Sequence, residues 1–191
     1  MDSSTRAILF DLVGVLLFRR ADYMPDATVD AIDGLIGQVT DDHRFREEVL
    51  RAYSPSEAEF DRLLARIVGK YEPFLPLWEL LPELRKHYRL GVINNGTYLT
   101  FPLFNARLGL ESAFDLLFCS AREGVCKPDV RIFERACQQL SMTPEQCLFM
   151  DDSEVNIEAA RRIGMQVILW RDAAAGFQTF RDWLKRKNIL W

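Results

Sequence analysis

The sequence predicts an α/β protein: a doubly wound parallel sheet with a small helical insert after its first strand. Three observations carry this. Short apolar runs recur along the chain, amphipathic helical patterns lie between them, and one stretch, residues 19–77, replaces the alternation with helical patterns alone. Strand and helix in alternation bury a parallel sheet between two helical layers, the Rossmann-like arrangement.

The first run, Ala7-Ile8-Leu9-Phe10, ends at Asp11 and is followed by Gly14. Unbroken apolarity over four residues suits a strand covered on both faces. The second run, Leu90-Gly91-Val92-Ile93, ends at Asn94-Asn95-Gly96. The third, Leu116-Leu117-Phe118-Cys119, is weaker. The fourth, Cys147-Leu148-Phe149-Met150, ends at Asp151-Asp152, and the fifth is Gln166-Val167-Ile168-Leu169-Trp170. Helical spacing of apolar residues predicts helices over 78–87, 129–140 and 155–163, the last stopped by Gly164. Within 19–77, Ile32, Leu35 and Ile36 form one helical pattern, Phe45, Val49 and Ala52 a second, and Phe60, Leu63, Leu64 and Ile67 a third. Pro25, Pro55, Pro73 and Pro76 punctuate them, and Ser54-Pro55-Ser56-Glu57 reads as a helix start. The expected division is a core of residues 1–18 and 78–191 and a helical cap of residues 19–77.

Composition narrows the functional classes. With 191 residues, 49% of them hydrophobic, the chain can bury a normal core and is not a disordered segment. A net charge of −4 gives no broad attraction to nucleic acid or to an anionic membrane, so a phosphorylated ligand needs a local cation. No apolar stretch is long enough to span a bilayer. The polar start Met1-Asp2-Ser3-Ser4-Thr5-Arg6 does not read as a signal peptide. Cys119, Cys126, Cys137 and Cys147 lack paired spacing and are expected as free thiols, which points to a cytoplasmic location. His43 and His87 are expected at the surface, and a zinc site is not expected. Tyr53, Phe60 and Tyr71 are expected mainly in the core of the insert, with one or two left to face the site.

Polar residues gather just past the ends of the apolar runs: Asp11, Asn94 and Asn95, and Asp151 and Asp152. Ligands of open parallel sheets bind outside the carboxyl ends of the strands, so these residues define one mouth, to which Lys127 in the loop before Pro128 can add a cation. Taken singly, each has an ordinary alternative: Asp11 and the acidic pair as helix caps or turn residues, Asn95-Gly96 as a turn, Lys127 as a solvated lysine.

Together they resemble the haloacid dehalogenase (HAD) superfamily. Ile8-Leu9-Phe10-Asp11-Leu12-Val13-Gly14-Val15 is similar to the first motif, D-x-D-G-[TV]. Val92-Ile93-Asn94-Asn95-Gly96 is similar to the second, a strand ending in Ser or Thr. Gly124-Val125-Cys126-Lys127-Pro128-Asp129 is similar to the third and Phe149-Met150-Asp151-Asp152-Ser153-Glu154-Val155-Asn156 to the fourth. The insert resembles a short C1-type cap. The resemblance implies a HAD-like fold and Mg²⁺-dependent hydrolysis of a small phosphorylated metabolite, of the sugar phosphate class, through an aspartyl-phosphate on Asp11. It implies Asp11 and Lys127 as catalytic residues. Asn94, Asn95, Gly96 and Lys127 would bind phosphate, and Asp11, the Val13 carbonyl, Asp152 and Asp151 would hold the metal, Asp151 directly or through water. The expected partner is a small phosphorylated substrate, with neither nucleic acid nor membrane, for a monomer or dimer.

Two residues depart from the family pattern. Val13 stands where phosphatases of the family carry an acid–base aspartate, whose help is typically worth ~100- to 10,000-fold. Asn94 stands where Ser or Thr is usual. These departures leave two alternatives open: a HAD-fold binding or regulatory protein with impaired turnover, and a metal-independent 2-haloacid dehalogenase, against which the acidic pair argues.

Overall fold

The structure, a computed structural model, describes residues 5–189; Met1–Ser4 of the polar N-terminal stretch lie outside the described residues. The chain runs β1 (Ala7–Phe10), β2 (Leu17–Arg19), α1 (Ala27–Ile36), α2 (Asp42–Tyr53), α3 (Glu57–Gly69), β3 (Tyr71–Pro73), α4 (Leu75–Trp78), α5 (Leu81–Leu84) and β4 (Arg89–Asn94). It continues through α6 (Phe101–Leu108), α7 (Leu110–Ala113), β5 (Leu116–Cys119), α8 (Ser120–Glu123), α9 (Val130–Gln139), β6 (Cys147–Asp151), α10 (Glu154–Arg162), β7 (Gln166–Leu169) and α11 (Ala173–Arg186).

β1, β4, β5, β6 and β7 form one parallel sheet in the order β5-β4-β1-β6-β7. β1 is central, and all four of its residues are fully buried. Its side chains alternate between two cores, as a pleated strand requires. Ile8 and Phe10 join Leu90, Val92, Leu148 and Met150 on one face, beneath Phe180 and Trp183 of α11. Ala7 and Leu9 join Ile93, Phe118 and Phe149 on the other, beneath Phe133 of α9 and Ile157 of α10. All five strands expected from the apolar runs form.

The register decides where the polar ends meet. Phe10 lies between Val92 and Met150, Asn94 pairs with Cys119, and Asp151 pairs with Leu169. Parallel strands in register place Asp11, Asn94 and Asp151 at the same edge of the sheet.

The insert has a core of its own, built from Val29, Ile32, Phe45, Val49, Phe60, Leu64 and Ile67. α3 starts where the sequence marks it, at Ser56, whose backbone N–H donates to Glu59 Oε2 at 2.8 Å; Asp26 caps α1 and Asp41 caps α2. The sequence reading missed the antiparallel ribbon that closes the insert. β2 pairs with β3, Leu17 opposite Pro73 and Arg19 opposite Tyr71. Three-residue strands are too short to show a period.

A second correction concerns 78–87, which is not one helix. It divides into the end of α4 and the short α5, with Pro76 and Pro82 in their first turns. Proline fits a first turn and breaks an interior, so Leu77, Leu81 and Leu84 reach the core at helical spacing without a continuous helix. α6 and α11 also went unread. No described helix is long and apolar enough to cross a membrane.

Candidate active site

Asp11 directly follows β1, and its backbone N–H still bonds to Met150 of β6, donating at 2.8 Å. That bond extends the parallel ladder by one residue and fixes where the carboxylate starts. Lys127 reaches the same point from the loop before α9. Its ammonium donates to Asp11 Oδ1 at 2.6 Å and to Asp151 Oδ2 at 2.7 Å. All three side chains are buried, Asp151 completely. Asp11 Oδ2 accepts from no described residue, so one oxygen of the pair stays open.

Asp151 is saturated. Besides Lys127 it accepts from the Ser153 backbone N–H at 2.8 Å and from Asn156 Nδ2 at 3.0 Å and 3.1 Å. Asp152, next in the chain, is exposed and lies against Gly14. A Cβ at Gly14 would sit 2.6 Å from Asp152 Oδ2, and the Gly14 φ of +101° is one that side chains rarely adopt. Glycine is therefore required there both for the turn and for the approach of the carboxylate. Asp11, Asp151 and Asp152 each bring an oxygen within 4.8 Å of the others.

The charges explain the proton affinities. Burial raises the Asp11 carboxyl to about 7; Lys127 opposes this, while Asp151 and Asp152 add to it. Burial also works against the Lys127 ammonium, but Asp11 and Asp151 outweigh it and hold the lysine above its usual value. Asp152 is raised by burial and then by Asp151. Three carboxylates face one ammonium. The site holds more negative charge than its own lysine offsets.

The structure rearranges the expected phosphate group. Asn94 lines the cavity, and its side-chain amide makes no hydrogen bond with any described residue, which leaves it free to donate. The Asn95 side chain has a further partner that the sequence did not suggest, the Lys127 backbone. Nδ2 donates to the Lys127 carbonyl at 2.9 Å, and Oδ1 accepts from the Lys127 N–H at 2.8 Å. It ties down the lysine loop, while the residue itself still lines the cavity. Gly96 departs from expectation: it is buried, and its N–H donates to Ser120 Oγ at 2.9 Å. Its lack of a side chain makes room, because a Cβ there would lie 2.4 Å from Asn94 Nδ2. Val13 lines the cavity.

The cavity has a volume of about 260 Å³ and is shared between the sheet edge and the insert. Asp11, Val13, Asn94 and Lys127 form its floor, and Asp33, Ile36, Ile67 and Tyr71 its opposite wall. Among the insert aromatics, Phe60 is core, Tyr53 is exposed, and Tyr71 faces the cavity. Asn156 and Asp33 had no role from sequence. The signal for Asn156 is its place in the first turn of the helix just after the acidic pair; Asp33 sits in the first helix of the insert with no motif around it.

Comparison with known proteins identifies the family and the fold. The family model for haloacid dehalogenase-like hydrolases matches residues 5–164. The chain is 28% identical over 193 residues to Acyl-CoA dehydrogenase family member 10 of Mus musculus; the match spans 86% of this chain and 18% of that protein. It is 27% identical to a glyceraldehyde 3-phosphate phosphatase of Methanopyrus kandleri, across 85% of this chain and 82% of the relative. A HAD family enzyme from Bacteroides thetaiotaomicron, solved with magnesium and inorganic phosphate, superposes with a TM-score of 0.69 at 16% identity, covering 87% of this chain and 94% of that one. At that identity the superposition speaks to fold.

Proposed function

Because the chain belongs to the haloacid dehalogenase-like hydrolases, we propose that it is a magnesium-dependent phosphatase of a small phosphorylated metabolite, of the sugar phosphate class, with Asp11 as nucleophile. The observation that carries this reading is Lys127 bridging Asp11 and Asp151 at the sheet edge while Asp11 Oδ2 stays open. The phosphatase name of the Methanopyrus relative and the magnesium and phosphate of the Bacteroides structure support the class.

The acidic cluster fits a hard divalent cation. It consists of carboxylate oxygens within reach of one another, with negative charge in excess. Asp11, Asp152 and the Val13 carbonyl would hold Mg²⁺, with Asp151 behind them. When bound, the ion supplies charge neutralisation between a carboxylate nucleophile and a phosphate.

The rest is done by the chain. Lys127 fixes Asp11 through Oδ1 and leaves Oδ2 to attack phosphorus in line. The new P–O bond forms as the bond to the leaving oxygen breaks, and the electron pair departs with that oxygen. The Asn94 amide donates to a phosphate oxygen. Water then cleaves the aspartyl-phosphate and restores the carboxylate. Val13 carries no proton to give, so the leaving groups that suit this site are stable as anions: anomeric, acyl or aryl phosphates. Residues 19–77 act as a cap, with 1–18 and 78–191 as the core, and the insert's wall excludes water from the reaction.

The test is hydrolysis of a panel of sugar phosphates and an aryl phosphate, with Mg²⁺ and with EDTA, beside Asp11→Asn. We expect activity that requires both the ion and Asp11, strongest with good leaving groups. Val13 favours a second reading, a HAD-fold binding protein without turnover. Metal-bound, folded protein that hydrolyses nothing in the panel would support it. Halide release from 2-haloacids that is insensitive to EDTA would overturn both.

A further inference from the structure

The wall opposite Asp11 holds a second buried lysine, which the proposed chemistry does not use. Lys70, 7% exposed, ends α3. Its ammonium donates to Asp30 Oδ1 at 2.7 Å and to Asp33 Oδ2 at 2.6 Å. Tyr71, the next residue, donates its hydroxyl to the same Asp33 Oδ2 at 2.6 Å. Two donors therefore converge on one oxygen of Asp33. The other, Oδ1, accepts from no described residue, although the side chain is only 15% exposed. Asp33 and Tyr71 line the cavity that Asp11, Asn94 and Lys127 line from below.

A carboxylate oxygen that lines a cavity and has no protein donor is open to a donor from water or a ligand. Two carboxylates against one ammonium leave this wall negative. Such a wall attracts hydrogen-bond donors and repels a second anion, and more strongly where apolar neighbours, here Ile36 and Ile67, keep solvent away.

We propose that Asp33 selects the far end of the substrate. Its open Oδ1 accepts a hydrogen bond from a hydroxyl of a phosphorylated sugar or polyol, and its charge excludes monophosphates that carry a carboxylate or a second phosphate. Lys70 and Tyr71 are positioning residues: they engage Oδ2 and so leave Oδ1 as the acceptor. The inference rests on the phosphatase reading for the other end of the substrate.

The test is equilibrium binding by calorimetry to the Asp11→Asn chain with Mg²⁺, where turnover does not intervene. The probes are glycerol 3-phosphate and 3-phosphoglycerate, which differ only in carrying CH₂OH or carboxylate. We expect glycerol 3-phosphate to bind at least about 10-fold tighter. Adding Asp33→Asn should narrow that ratio by about 5-fold or more, chiefly through tighter binding of 3-phosphoglycerate. Asp33→Glu, which keeps the charge, should retain the preference. A ratio near one in the parent, a ratio unmoved by Asp33→Asn, loss of preference in Asp33→Glu, or no binding of either probe would each overturn the proposal. Aryl phosphate hydrolysis by the unsubstituted chain is measured in parallel. If that alone is absent, the phosphatase reading fails while the binding ratio still decides the role of Asp33.

Discussion

Two buried lysines, Lys127 at the sheet edge and Lys70 in the insert, are built alike and differ in what surrounds them. Each ammonium bridges two aspartates at 2.6–2.7 Å. Around Lys127 the neighbours are strand ends: Asp11 and Asp151 are held by parallel ladders, and a third carboxylate, Asp152, is pressed close by the glycine turn. Around Lys70 the neighbours come from helix α1 and from the start of a short ribbon, and the additional partners are phenols, Tyr23 on Asp30 and Tyr71 on Asp33. The first arrangement concentrates negative charge beyond what its lysine offsets, which suits a metal and a phosphate. The second stays closer to balance and leaves a single acceptor, which suits a hydroxyl. The same ion-pair unit thus stands on strand ends in one region and on a helix and a short ribbon in the other.

The same lesion at both lysines should separate the two roles. Lys127→Met removes the group that orients Asp11, and kcat on an aryl phosphate should fall by about 100-fold or more. A smaller loss, in protein that still binds the ion, would mean that Asp11 orients itself and that the two lysines differ less than their surroundings suggest. Lys70→Met should register mainly in stability. Asp30 and Asp33 would be left facing each other half-buried, at a cost of about 1–3 kcal/mol by denaturant unfolding. A stability equal to that of the parent would show that the insert tolerates the uncompensated pair.

Asn156→Ala tests the saturated side of the core. It removes the amide that holds both oxygens of Asp151, and Mg²⁺ affinity should drop by about 10-fold, read by calorimetry. Unchanged affinity would place Asp151 outside the metal's influence.

The smallest expected effect is on pH dependence in the insert. The hydrogen bond from Lys70, followed by that from Tyr23 against the effect of burial, holds Asp30 below the ordinary carboxylate value. Its contribution is present above the unfolded carboxylate pKa and is lost as pH falls through the lower folded one. Burial would lower Lys70, but Asp30 and Asp33 raise it, so its contribution is complete below the unfolded lysine pKa and is lost as pH rises through the higher folded one. The stability difference between the parent and Lys70→Met should therefore be flat from about pH 5 to about pH 9 and shrink toward either extreme. A difference that grows on acidification would show that the Asp30 bond does not form in solution.

The two regions were also unequally legible. Asp11, Lys127, Asp151 and Asp152 could be read from residue type and place, because each follows an apolar run or sits in a motif that parallel strands must bring to one edge. The roles within that group were less legible. Asn94 and Asn95 were read alike as phosphate ligands, yet the Asn95 side chain bonds the Lys127 backbone and that of Asn94 bonds no described residue. Adjacent residues past a strand end point in different directions, and sequence does not say which faces the cavity. In the insert the three helices were legible from their spacing and caps. Asp33, Lys70 and Tyr71 were not, because the ion pair spans 37 residues and its members carry no shared motif.

By itself, then, the sequence determined the layer architecture, the five strands, and the edge where acids, amides and lysine converge. These follow from local periodicity and from the rule that parallel strands end together. Only the tertiary structure decided which carboxylate oxygens stay open, that the Asn95 side chain ties down the Lys127 backbone, that Gly96 is buried, that β2 and β3 zip the insert shut, and that a second lysine–aspartate unit looks across at Asp11. Those are contacts between residues far apart in the chain. Their geometry is set by packing the insert against the sheet edge, and no local pattern encodes it.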